Sequence, residues 1–277
     1  MVLLHVKRSD DNQFLYKTTI EASVKKTVEE MVKIHNLRQR IHRLKMEGEE
    51  LAKYGPAKHP EKQGIDTYSE GVSEVGDHYE MDPTGRRTGN ACDPKAAKTL
   101  LKTLEEAKDV ASKDQVAKKI HLTIEMLEAA VDNIRGAVMI CYPMGLPEWD
   151  FVRLCLEGNE KLGDNTYGSE DLDGGETSMW FAGKVLLNDN KLRDHLGRHE
   201  NTRAVIKLTK KGQGAPGREP IVDADTQKAM MSWYHKKQEQ QKKLEENEED
   251  DYFNSSWANQ NSLKQHFSGV SQVKIPR

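Results

Sequence analysis

The stretch "KLTKKGQGAPGREP", Lys207 to Pro220, decides the fold. Gly212, Gly214 and Gly217 spell G-x-G-x-x-G, and the run "TRAVIKL" just before them, residues 202–208, has the apolar pattern of a strand. A dinucleotide-binding fold puts its phosphate loop in this setting, with the helix opening on the third glycine so that its spare N–H groups meet the pyrophosphate. Here Pro216 stands inside the motif and Pro220 follows it, and each proline removes a donor. The next helix caps, Asp223 and Asp225, come late and are negative, so they repel phosphate. No second βαβ half follows, and the Gly-Lys-Ser/Thr of a P-loop is absent. The stretch therefore reads as an ordered turn between the last strand, Ala204 to Leu208, and a helix.

That helix begins beyond Asp223 and carries Ala229, Met230, Trp233 and Tyr234 on two adjacent turns. It is expected to dock by those turns and then to leave the body, because "HKKQEQQKKLEENEEDD" is almost wholly polar. Six of the seven residues from Glu245 to Asp251 are acidic, and such a block self-repels and stays extended. Beyond it, Tyr252, Phe253, Trp257, Leu263 and Phe267 interrupt a polar tail. Two readings stay open. The tail folds back onto its own domain, or it docks into another protein with Tyr252, Phe253 and Trp257 as the contact residues.

Working towards the N-terminus, Val2, Leu3, Leu4 and Val6, the turn "RSDDNQ", and Phe14 to Tyr16 predict a β-hairpin. Ser23 is a helix N-cap, with Thr27 and Glu30 suggesting a capping box. Val24, Val28, Met31, Ile34, Leu37, Ile41, Leu44 and Leu51 recur every three or four residues, predicting a long helix with a break near Asn36, closed by Gly55-Pro56. Residues 55–93 read as a mobile insertion. Asp93-Pro94 opens a helix with Leu100, Leu101, Leu104 and Val110 buried, and Thr123 caps another that Gly136 stops. The apolar run Val138 to Tyr142 predicts a buried strand, Phe151 to Leu156 its partner, and Thr177 to Leu187 a further helix.

These elements predict an α+β fold, a β-grasp-like (ubiquitin-like) sheet with inserted helices, followed by a C-terminal helix and a polar tail. The expected organisation is a body over 1–222, with the mobile insertion at 55–93 and inserted helices at 94–136. A helix over 223–247 and an acidic, aromatic tail over 248–277 follow.

Chemistry is hard to find. His195 and His199 have zinc-like spacing, but Gly197 lies between them and no third ligand is evident. "DLDGGE", Asp171 to Glu176, fails the carboxylate order of a calcium loop. Arg86 and Arg87 are able to grip an anion, yet read more simply as a solvated loop pair. Cys141 and Cys155 sit in apolar runs and behave as small hydrophobes. Neither G-x-S-x-G nor H-E-x-x-H occurs. No catalytic, cofactor-binding or metal site is expected. The three cysteines lack C-x-x-C spacing, which suits a reducing compartment. A net charge of −3 argues against nucleic acid, and no run is long enough for a signal peptide or membrane insertion, so a soluble intracellular protein is expected.

"MVLLHVKR", "GAVMICYPMGLP", "KKGQGAPGREP" and "EENEEDDYFNSSWA" together resemble the Kurly family of cilia- and flagella-associated proteins. The likeness spans Met1 to the last helix and is weakest around Gly64 to Asp93 and Gly163 to Glu176. The resemblance implies a non-enzymatic protein of motile cilia, tied to outer dynein arm assembly, cilium motility and positioning through planar polarity. It implies a place in the cytoplasm and near basal bodies, and protein partners that include a zinc-finger MYND-domain assembly factor and dynein arm subunits. It supplies no catalytic residues. Two rival expectations are a structural component bound to microtubule doublets and an enzyme using the 212–217 glycine loop.

Overall fold

The computed structural model describes residues 1–64, 76–159, 171–217 and 224–254, with the side chains of the last helix described over 225–243. The chain divides into two units, Met1–Gly217 and Arg218–Arg277.

Alternation builds the first strands. In β1 (Val2–Lys7) Val2, Leu4 and Val6 are buried while Leu3, His5 and Lys7 are half-exposed, the period-two pattern of a sheet with one covered face. β2 (Gln13–Thr18) pairs antiparallel to it, with His5 opposite Leu15. Ser23 then caps α1 (Val24–Tyr54), its hydroxyl accepting from the Lys26 N–H at 3.3 Å. Glu30 does not complete a capping box; it takes the Tyr16 hydroxyl instead.

α1 runs unbroken through Asn36. Where the apolar stripe slips, buried polar groups fill the face. Arg38 donates to the Ala111 carbonyl and the Asn12 side chain at 2.8 and 2.9 Å, and packs over the Phe14 ring. Asn36 itself pins a distant loop, exchanging two hydrogen bonds with the backbone of Leu172. The helix ends at Gly55, which adopts φ 77° and ψ −169°, a region essentially reserved for glycine.

Among the described residues, four α-helices follow before the chain returns to the sheet: α2 (Pro94–Ala111), α3 (Asp114–Ala117), α4 (Ile124–Cys141) and α5 (Phe151–Glu157). α2 buries Leu100, Leu104, Ala107 and Ala111 against α1 and α4, whereas Leu101 stays exposed and Val110 half-buried. The approach at Gly48 is close enough that a Cβ there would meet Leu104 Cδ1 at 2.8 Å.

Two expected strands are helices. Gly136 lies inside α4 and does not stop it, because Ala130, Ile134, Ala137, Val138 and Cys141 continue the helical stripe beyond it. Residues 138–141 therefore belong to α4, and Met139 and Ile140 of the apolar run face outward. A run this short fits a buried strand or a buried helix equally well. α5 starts at Asp150, whose carboxylate accepts the Val152 N–H at 2.9 Å. Its buried set, Phe151, Val152, Cys155 and Leu156, has helical spacing. Conversely, the helix expected at 177–187 is a hairpin of β3 (Thr177–Phe181) and β4 (Lys184–Val185). Ala182 and Gly183 turn it with positive φ at both central positions, as a type I′ hairpin turn requires.

α6 (Leu192–Leu196) leads to β5 (Arg203–Lys210), which pairs parallel with β1 and antiparallel with β3. The fold is α+β, and its sheet has the order β2-β1-β5-β3-β4. With the last strand beside the first, this is the order a β-grasp-like reading requires. Among the described residues, no helix is long and apolar enough to cross a membrane.

The second unit holds α7 (Ala224–Asn254). The acidic run expected to be extended is part of that helix. Met230, Trp233 and Tyr234 are 50%, 56% and 58% exposed.

Candidate protein-interaction site

Several of the residues singled out for chemistry are held in local structure. At the glycine loop, Gly212 and Gly214 take φ of 91° and 75° to turn the chain out of β5. Lys211 N–H is held by the Glu176 carbonyl at 2.7 Å. Gly217 itself lies outside any helix, and the described part of α7 starts at Ala224.

His195 and His199 do not share a helix, because α6 ends at Gly197 with φ 89°. His195 lies beside the Asn190 amide at 3.4 Å. Among the described residues no group of three or more His, Cys, Asp or Glu is arranged to hold a metal ion. In "DLDGGE", Asp171 pairs with Arg43, and Asp173 Oδ1 accepts the Gly175 N–H at 3.0 Å.

Arg87 departs most from expectation. It is buried, not a solvated loop residue, and it knits three segments together. Its guanidinium meets Glu47 of α1 at 2.9 Å and the Asp150 carboxylate at the start of α5 at 3.7 Å. It also donates to the carbonyls of Gly55 and Glu47, at 3.0 and 3.1 Å. Arg86 meets the same Glu47 carboxylate at 3.3 Å. Nearby, burial pushes the Asp82 carboxyl up, but the N–H groups of Thr84, Arg87 and Arg86 and the Thr84 hydroxyl outweigh it and hold it below its ordinary value. The arginine pair thus grips the protein's own carboxylates, and Arg87 has no face left for an external anion.

The cysteines are free and buried. Burial pushes the Cys155 thiol up to about 12. Burial, with the Cys92 thiol alongside, does the same for Cys141. A thiol held protonated is a poor nucleophile.

Exposed apolar surface is what remains. On α7, Met230, Trp233 and Tyr234 lie at i, i+3 and i+4, one stripe of the helix. The two rings meet edge to face at 5.3 Å, and Lys237 Nζ sits 5.1 Å over the Trp233 ring. Tyr252 and Phe253 belong to the last turn of the same helix, with side chains beyond those described, and Trp257 lies outside the described residues. A second apolar corner, unnoticed in the sequence, joins α4 to α5: Met139, Ile140 and Met144 are 63%, 64% and 99% exposed. Trp149, 42% exposed, donates to the Ala57 carbonyl and meets His59 edge to face. The signal was present, since "AVMICYPMGLP" holds more apolar residues than one face of a helix can bury.

The geometry defines an α+β protein that offers apolar contact surface. The matches to known proteins agree in naming one family. The model for "Cilia- and flagella-associated protein 298" matches residues 177–273, from β3 into the C-terminal segment. Cilia- and flagella-associated protein 298-B of Xenopus laevis is 41% identical over 274 residues, covering 99% of this chain and 98% of that protein. The Homo sapiens protein of the same name is 41% identical over 286 residues, and the Drosophila melanogaster one 33% over 287, each covering 99% of both chains. No solved structure matches the chain. The chain belongs to the cilia- and flagella-associated protein 298 family, the Kurly family, and is a protein associated with cilia and flagella.

Proposed function

We propose that the protein is a non-enzymatic adaptor or assembly factor of motile cilia. It promotes outer dynein arm assembly, and through it cilium motility and positioning, by holding protein partners together. It works in the cytoplasm and at the basal body. Its partners are dynein arm subunits and a zinc-finger MYND-domain assembly factor. The observation that carries the reading is full-length likeness to cilia- and flagella-associated proteins in a chain whose last helix leaves its aromatic stripe exposed. Met230, Trp233 and Tyr234 have the i, i+3, i+4 spacing with which an amphipathic helix fills a partner's groove. Tyr252, Phe253 and Trp257 extend the set of anchors towards the C-terminus.

The test is affinity purification from ciliating cells with the full chain and with Phe253→Ala/Trp257→Ala. Aromatic anchors contribute about 2 kcal/mol or more each, so recovery of dynein-assembly partners should fall more than about tenfold with the melting temperature unchanged. A lowered melting temperature with unchanged recovery would place these residues in the protein's own core. A protein retained on salt-washed axonemes would instead be a fixed component bound to microtubule doublets.

A further inference from the structure

Among the described residues, none of the five strands carries Asp or Glu, although the chain has 45 such residues and a net charge of −3. Lys7, Lys17, Lys184, Arg203, Lys207 and Lys210 all lie on them. Alternation puts Val2, Leu4, Val6, Ile206 and Leu208 in the core and sends Lys7, Lys17, Arg203 and Lys207 to the opposite face. Solvated surfaces ordinarily intersperse both signs. Edge strands often carry lysine to deter pairing, which accounts for Lys17 on β2 and Lys184 on β4. It does not account for Arg203, which stands on β5 in the middle of the sheet.

The register interleaves these charges with apolar groups. Leu3 stands directly between Lys17 and Arg203, and Lys207 directly between Lys7 and Trp180. Val205 and Val185 on the same face are 45% and 42% exposed. Among the described residues, neither Lys17 nor Arg203 has a carboxylate within ion-pair distance. Lys207 Nζ donates to the Gly217 carbonyl at 2.7 Å. We propose that this outer face of the sheet is a docking surface for an acidic segment of a partner protein, one that carries apolar side chains between its carboxylates. Charge complementarity selects the acid, and Leu3, Val205 and Trp180 select a peptide over a purely ionic ligand. A long polyanion is a poorer match, since only a few cations are grouped here in a chain of negative net charge. The inference stands apart from the anchors on α7, and its failure would leave the adaptor reading intact.

The test is fluorescence anisotropy with the full chain and a labelled Glu-rich peptide bearing a central Leu-Trp pair. Saturable, salt-sensitive binding is expected, with no binding of the Gln-for-Glu peptide. Lys17→Glu/Arg203→Glu should weaken it by about tenfold or more, because like charges would then face each other. Both side chains are exposed, so the melting temperature should hold. Val205→Ser should weaken the Leu-Trp peptide but not an all-Glu one. The proposal is overturned if the peptide fails to bind or if the charge-reversed variant binds it within about twofold of the parent. It is equally overturned if binding appears only after the acidic residues of Glu245–Asp251 are neutralised in the full chain, which would make that run the occupant. Tighter capture of duplex DNA or phosphatidylserine vesicles, lost in the same variant, would also overturn it.

Discussion

Replacing Arg87 with alanine tests whether the segment between α1 and α2 is held by a buried charge. Arg87 and its partners Glu47 and Asp150 are 3%, 5% and 0% exposed. Removing one member of a buried pair costs about 3–5 kcal/mol, because the remaining charge keeps its desolvation without its partner. The lower end applies here. Asp150 keeps the Ala57 and Val152 N–H groups, both at 2.9 Å, and Glu47 keeps Arg86 at 3.3 Å. A loss of about 3 kcal/mol, at about 2–4 °C per kcal/mol for a body of this size, lowers the melting temperature by about 6–12 °C. Circular dichroism measures that shift, and hydrogen exchange locates it. The Thr88 and Gly89 amides donate to the carbonyls of Pro56 and Tyr54 at 2.9 and 2.8 Å, so their protection should fall first. Arg87→Lys keeps the charge but loses the forked donation to Gly55 and Glu47, and should fall between parent and alanine variant. A shift below about 2 °C in Arg87→Ala, with Thr88 and Gly89 still protected, would refute the reasoning.

Gly55→Ala should destabilise the same junction by more than about 2 kcal/mol, since a Cβ at φ 77° would lie 2.1 Å from the Asn90 carbonyl oxygen; denaturant unfolding measures it. Cys141 and Cys155 should resist alkylation at about pH 8 in the folded protein and react once it unfolds. Their thiols are raised from 9.0 to about 12 on folding, so the stability they favour is complete below pH 9 and is lost as pH rises towards 12, as chemical denaturation across that window would record. ATP, GTP and NAD should leave the melting temperature unmoved, whereas a true site at about 100 times its dissociation constant would add roughly 2.7 kcal/mol. A shift with any of the three would revive the glycine loop as a nucleotide site.

Local chemistry was legible along the chain wherever a side chain acts on its own neighbourhood. Ser23 and Thr123 cap helices, Pro94 opens one, Gly55 closes one, and the alternation of Val2, Leu4 and Val6 marks a covered sheet face. Pro216 inside the glycine motif and Pro220 beyond it each remove a backbone donor whatever the fold. Short apolar runs were not legible in this way. Residues 138–142, 151–156 and 177–187 satisfy strand and helix patterns alike, and their state follows from which faces their neighbours leave to be covered. The buried polar network was hidden for a related reason. Arg87, Glu47 and Asp150 lie far apart in sequence, and only the packing of α1, the loop and α5 brings their opposite charges together in a place from which water is excluded. The cations on the outer face of the strands are similar: each Lys or Arg is ordinary on its own strand, and the strand order alone gathers them.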